Sequence, residues 1–137
     1  METQTMDNLK MIAETAKDFA EKNIRPNIMD WDESQTFPVA LFHQLGELGF
    51  MGIVIPEEYG GAGFDSVSYA VALEEIARAD ASVAVIVSVT NSVCCYPILS
   101  FGTKEQKRKY LVPLAKGETL GAFCLSEPQA GSDATNL

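Results

Sequence analysis

With 137 residues, 47% of them hydrophobic and 21% charged, the chain is long enough for one domain with a real core and is not disordered by composition. Its net charge of −9 argues against duplex nucleic acid, whose binding rests on neutralising phosphates, and against anionic lipid. A phosphorylated ligand held by a few local donors stays open, because net charge is not local field.

Met1 to Lys10 is polar and acidic, unlike a secretory signal, and too poor in arginine for an attached transit peptide. From Thr5 to Asn23, Leu9, Ile12, Ala13, Ala16, Phe19 and Ala20 recur at spacings of three and four, which predicts an amphipathic helix. Glu14, Lys17, Asp18, Glu21 and Lys22 mostly take its other face. Arg25-Pro26 is its predicted end, since the residue before a proline is pushed out of the α region. Asn27 to Phe37 is polar and irregular and reads as a loop. Pro38 suits the first position of a second helix with Leu41, Phe42, Leu45 and Leu48 as its stripe and Gly49 as its C-terminal cap. Phe50 to Phe64 reads as a short extended piece, Ile53-Val54-Ile55-Pro56, then a turn-rich loop through Gly60-Gly61-Ala62-Gly63. That glycine run lacks the G-x-G-x-x-G spacing and the βα setting of a dinucleotide site.

Asp65 or Ser66 is the predicted cap of a third helix running to about Ala79, and Asp80 that of a fourth, from Ala81 to Phe101. Ala81 to Leu99 is nearly continuous in apolar and small residues, about the length of a membrane span. It also carries Ser82, Ser88, Thr90, Asn91 and Ser92, and its flanks are weak in anchoring residues, so the central helix of a bundle is the reading preferred over a span. Gly102 ends it, and Thr103-Lys104-Glu105-Gln106 is a capping box that opens a fifth helix to about Ala115, with Pro113 placed to bend or end it. After a Gly117-Glu118 turn, Thr119 to Leu125 reads as a strand. The expectation is an all-α helical bundle domain over 1–118, with 119–137 opening something else. A lone strand leaves an edge unpaired, so the chain reads as cut at a domain boundary.

Cys94, Cys95 and Cys124 are odd in number, two of them adjacent, which is no disulfide framework and suits a reducing compartment. No metal-ligand spacing is present, and His43, the only histidine, has no nucleophile or metal partner in sequence. Lys104, Lys107, Arg108 and Lys109 read as a solvated helix face. Glu57, Glu58, Glu74, Glu75 and Glu127 read as surface or structural, and no catalytic residue is assigned. The chemistry concentrates in Phe123-Cys124-Leu125-Ser126-Glu127-Pro128-Gln129-Ala130-Gly131-Ser132-Asp133. A strand running into a Ser-Glu-Pro turn and a Gly-Ser-Asp turn offers successive N–H groups and hydroxyls, an anion-binding concavity. Gly131 allows either a positive φ or close approach of a ligand. On pattern alone, an ordinary Asx/Ser turn leaving a strand explains the same residues equally well.

That segment, together with Asn91-Ser92, Pro97-Ile98-Leu99 and Phe101-Gly102-Thr103-Lys104-Glu105-Gln106-Lys107, closely resembles the N-terminal part of the acyl-CoA dehydrogenases, especially their short-chain members. The resemblance implies FAD-dependent oxidation of the Cα–Cβ bond of an acyl-CoA thioester, with electrons passed to an electron-transfer flavoprotein. It implies that 119–137 opens a flavin-binding β-domain, with Phe123 to Ser126 against the flavin. Leu125 N–H and the Ser126 hydroxyl or N–H would face the N1/O2 edge of the ring. Gly131 and Ser132 would meet the pyrophosphate region, Ser132 would also touch the CoA, and Asp133 would brace the turn. Val89, Thr90 and Val93, with Cys94, would wall the acyl pocket. The glutamate base of the common members lies further along than these residues, so the chain alone is expected to be inactive. A tetramer or dimer, in the cytoplasm or the mitochondrial matrix, is the implied setting. Acyl-CoA oxidases and flavin monooxygenase relatives share the architecture, and a non-catalytic helical interaction module is the alternative of a different class.

Overall fold

The computed structural model describes residues 2–136, with side chains from Met6 onward; Met1 and Leu137, the outer ends of the two predicted domains, lie outside the described residues. Six helices stand among the described residues. α1 (Glu2–Phe19) runs on into a π-wound turn, Ala20–Ile24. Then come α2 (Ile28–Ser34), α3 (Val39–Glu47) and α4 (Ser66–Ala79). α5 (Ala81–Phe101) is the long apolar helix, and α6 spans 104–115. The all-α expectation holds, and no strand is present among the described residues.

The helix starts follow from their caps. Asp65 Oδ1 accepts the Ser68 N–H at 2.8 Å, and Asp80 Oδ1 accepts the Val83 N–H at 2.8 Å. The Ser68 backbone bond holds the Asp65 carboxyl below the usual carboxylate range. Thr103 and Gln106 close the predicted box: Gln106 N–H donates to Thr103 Oγ1 at 3.2 Å, and Thr103 N–H to Gln106 Oε1 at 2.8 Å. Gly49 follows α3 with a φ of 81°, the left-handed stop expected of it.

Pro26 is a predicted helix end and Pro113 a predicted bend or end, while Pro97 lies within the predicted fourth helix. Three π-wound stretches, Ala20–Ile24, Thr90–Cys95 and Lys107–Leu111, each stop two residues before a proline: Pro26, Pro97 and Pro113. A proline has no N–H, and its ring clashes with the carbonyl four residues back. Widening the preceding turn relieves that clash while keeping the chain helical. Arg25 N–H accordingly donates to the Ala20 carbonyl and Val112 N–H to the Lys107 carbonyl, each five residues back. The chain stays helical through all three prolines, which corrects the predicted end at Arg25-Pro26 and keeps Pro97 inside its helix as expected.

Three expectations are corrected. The loop predicted over Asn27–Phe37 contains α2, because Ile28 and Trp31, three residues apart, pack one side of it on the core. Gln35, at φ 53°, ends it. The extended piece Ile53-Val54-Ile55-Pro56 is a tight turn, with short 3₁₀ turns at Phe50–Gly52 and Glu57–Tyr59 on either side. The Ala62, Gly63 and Phe64 N–H groups satisfy the carbonyls of Gly52, Ile55 and Ile53 at 2.8, 2.9 and 2.8 Å, so the glycine-rich loop folds back over it. The strand predicted over Thr119–Leu125 does not form, since a strand needs a neighbour to share its hydrogen bonds and 120–126 has none among the described residues.

α4 lies between α1 and α5. Ile12, Ala16, Ala20 and Ile24 of α1 and its continuation meet Ala72 and Ile76 of α4, and Val83, Ala84 and Val87 of α5 join the same core. The alanines let the backbones approach closely. Leu41, Phe42 and Leu45 of α3 close it from below with Phe50 and Met51. Each such large side chain, fully buried, contributes about 2 kcal/mol. A second cluster joins Ile55, Cys95, Leu111, Leu114 and Ala115. The turn after α6 docks on α3: a Cβ on Gly46 would meet the Lys116 carbonyl, and His43 Nδ1–H donates to the Gly117 carbonyl. His43 thus has the structural role expected of it.

α5 is long and apolar enough to cross a membrane by length and composition. One side of it is buried in the core, including the polar Thr90 and Asn91. Its other side is not covered: Val85, Val93, Tyr96 and Phe101 are exposed.

Candidate functional site

The second half of α5 borders a cleft of about 500 Å³. Val93, Tyr96 and Leu99 of α5, Tyr69 of α4, Val54 and Phe123 make its walls mainly apolar, and Asn91, Ser92 and Ser66 add polar groups. Tyr69 donates to Ser88 Oγ at 2.9 Å, which ties α4 to α5 beside the cleft.

Three consecutive side chains of α5 turn back on their own backbone. Thr90 Oγ1 donates to the Ile86 carbonyl at 2.9 Å, Asn91 Nδ2 to the Val87 carbonyl at 3.0 Å and Ser92 Oγ to the Ser88 carbonyl at 2.6 Å. Asn91 Nδ2 also reaches the Phe50 carbonyl at 2.9 Å. Its Oδ1 is buried and has no hydrogen-bond partner among the described residues.

The tail reaches this cleft by close approach. A Cβ at Gly121 would lie 2.8 Å from Cys94 Sγ and 2.9 Å from its Cβ, so only a glycine lets the chain lie this near α5. Two residues on, Phe123 lines the cleft while remaining 52% exposed. Leu125 is exposed as well, and the N–H groups of Leu125 and Ser126 have no backbone acceptor among the described residues. Glu127 N–H donates to the Ala130 carbonyl at 2.8 Å and Ala130 N–H to the Glu127 carbonyl at 3.2 Å, closing a turn around Pro128. Asp133 Oδ1 accepts from the Thr135 hydroxyl at 2.8 Å, a bond internal to the next turn.

Gly131 is not in the left-handed region, so the positive φ offered as one reason for a glycine there is not used. Nothing lies within 4 Å of where its Cβ would be, which keeps the other reason, room for close approach. Ser126 and Ser132 are exposed. Val93 and Phe123 therefore share one cleft. Val89 is half-buried outside its lining, and Thr90 is fully buried behind it.

The thiols behave as the apolar setting dictates. Burial pushes Cys95 up to about 12, with Cys94 beside it adding to the shift, and burial raises Cys94 as well. Cys124 is exposed. No group of three or more His, Cys, Asp or Glu side chains able to hold a metal occurs among the described residues. The residues that pattern reasoning missed are Tyr69, Tyr96 and above all Asn91, whose signal was an amide inside an otherwise apolar helix.

Residues 6–118 match the family profile described as Acyl-CoA dehydrogenase, N-terminal domain. The chain is 48% identical over 125 residues to the mitochondrial short-chain specific acyl-CoA dehydrogenase of Bos taurus, an alignment covering 91% of the chain and 30% of that protein. The solved structure of butyryl-CoA dehydrogenase from Megasphaera elsdenii superposes with a TM-score of 0.85 at 43% identity, over 94% of this chain and 34% of that one. An acyl-CoA dehydrogenase complexed with FAD from Bacillus anthracis gives 0.86 at 41% identity, over 96% and 22%. The chain spans about a third or less of the length of these relatives.

Proposed function

Because the chain belongs to the acyl-CoA dehydrogenase family through its N-terminal domain, we propose that it forms one wall of the flavin and acyl-CoA site of an enzyme that oxidises the Cα–Cβ bond of a short-chain acyl-CoA. The observation that carries this reading is the meeting of Phe123 with Val93 at one apolar cleft, directly before a run of unengaged donors.

The residues present fit FAD. A flavin ring needs an apolar platform and a few N–H donors, and a pyrophosphate needs an open turn. Phe123 supplies part of the first, the Leu125 and Ser126 N–H groups the second, and the open Gly131-Ser132 turn the third. When bound, FAD supplies the hydride acceptor. The chain's part is to orient and to exclude water. The Leu125 N–H and the Ser126 hydroxyl would hold the flavin ring through hydrogen bonds, which favour a ring that gains negative charge. Ser132 holds the CoA portion, and Val93, backed by Val89 and Thr90, walls the acyl group.

Proton abstraction is assigned to no residue of this chain, so by itself it turns over no acyl-CoA. The short-chain preference rests on the names of the Bos taurus and Megasphaera elsdenii relatives. An electron-transfer flavoprotein as acceptor, a homotetramer or dimer as assembly, and the cytoplasm or mitochondrial matrix as setting complete the proposal.

The test uses protein expressed from its complete reading frame and loaded with FAD. Anaerobic butyryl-CoA should bleach the flavin absorbance, and Ser126→Ala should slow the bleaching about tenfold, the worth of one hydrogen bond to a charged group. A flavin that no acyl-CoA from butyryl to palmitoyl bleaches would sink the reading.

A further inference from the structure

We propose that Asn91, helped by Thr90, is a positioning residue that holds in place the wide turn Pro97 favours in α5, and so the shape of the cleft at its acyl end; the inference rests on the acyl-CoA reading above. α5 is an ordinary α-helix over Ala81–Val89 and π-wound over Thr90–Cys95. At such a changeover the backbone hydrogen bonds shift from the carbonyl four residues back to the one five residues back. Here the carbonyls of Ile86 and Val87, which accept the Thr90 N–H, also accept the Thr90 and Asn91 side chains, and the Ser88 carbonyl accepts Ser92 Oγ. One such back-bond is common in helices. Three in succession, placed at the change of winding, form a brace.

Asn91 anchors that brace to the rest of the molecule. Its Nδ2 joins the Val87 carbonyl to the Phe50 carbonyl, 41 residues away in sequence. Two carbonyl acceptors demand the nitrogen at that end, which fixes the orientation of the carboxamide. The price is an oxygen buried without a partner, in a residue that borders the cleft. An apolar residue of similar size would avoid the orphan, so packing alone does not explain an amide here.

The consequence for the cleft is geometric. Val93, Tyr96 and Leu99 lie beyond the brace and line the cleft. Each residue added to or lost from a helical turn rotates the rest of the helix by about 100°. If the wide turn relaxed, those side chains would swing off the cleft, and its acyl end would change shape.

Two readouts test this in Asn91→Leu and Thr90→Val. In the FAD-loaded enzyme from the complete reading frame, Asn91→Leu should change the ratio of kcat/KM for butyryl-CoA to that for octanoyl-CoA at least fivefold, and Thr90→Val at least twofold in the same direction. Damage to stability alone would lower both substrates together, and an unchanged ratio would overturn the proposal. In the 137-residue chain, Asn91→Leu should speed amide exchange over 93–99 at least tenfold relative to α1 and α4. Equal acceleration everywhere, or none, would also overturn it. If Asn91→Leu gives no folded protein, Thr90→Val decides on both readouts. A wild-type enzyme that no acyl-CoA reduces would fail the functional reading, while the exchange measurement would still judge the brace.

Discussion

Residues 6–118 and residues 119–136 are built on different terms. In the helical part, α4 is held between α1 and α5, the helix starts at Ser66, Ala81 and Lys104 are capped, and the turn after α6 locks onto α3. In the tail, Ala130 is the one buried residue described, and the hydrogen bonds beyond Glu127 run no further than seven residues along the chain. The two parts touch closely where Gly121 meets Cys94. Rigidity therefore sits in the scaffold, and open donors sit in the segment that a ligand would engage.

Substitutions can break that contrast. Gly46→Ala should be the most damaging, because its Cβ would drive into the Lys116 backbone, which cannot give way as a flexible side chain would. A loss of about 3 kcal/mol in urea unfolding is expected, and a neutral result would mean the α3–α6 contact is loose. Thr103→Ala removes a cap whose hydrogen bonds are both formed and should cost about 1 kcal/mol by the same assay.

Asp65 sharpens the contrast through pH. Its carboxyl is held below the usual range, so its contribution is complete above the ordinary carboxylate pKa and fades as pH falls through the lowered one. Asn at this position keeps an acceptor but cannot titrate. The stability difference between wild type and Asp65→Asn should therefore shrink on going from about pH 6 to about pH 2. A difference that stays flat with pH would show that the cap does not depend on the charge. The smallest effect belongs to the tail: Gly131→Ala should change stability by less than about 0.5 kcal/mol, since the added methyl meets nothing.

What the sequence revealed was what is local. Asp65, Asp80 and Thr103 act on N–H groups three residues away, so their capping roles could be read directly. α2 was hidden because only Ile28 and Trp31 face the core, too few to stand out in a polar stretch. Pro26 was visible but read as a helix end, because the widening that accommodates it depends on flanking helix strong enough to persist. Thr119–Leu125 has the residues of a strand, but pairing is a relation between segments, and no neighbour is present among the described residues. In the site, family resemblance pointed to Phe123 and Val93, which meet at one cleft. The two-carbonyl grip of Asn91 depends on Phe50, and nothing in the spacing of either residue announces it.

The most direct test of the division between scaffold and ligand-facing segment is amide exchange in the FAD-loaded protein from the complete reading frame, compared with its apo form. Protection gained on loading should concentrate in 90–99 and 121–133, with α1 and α4 unchanged. Protection that appears in α1 and α4 but not in the tail would contradict the account.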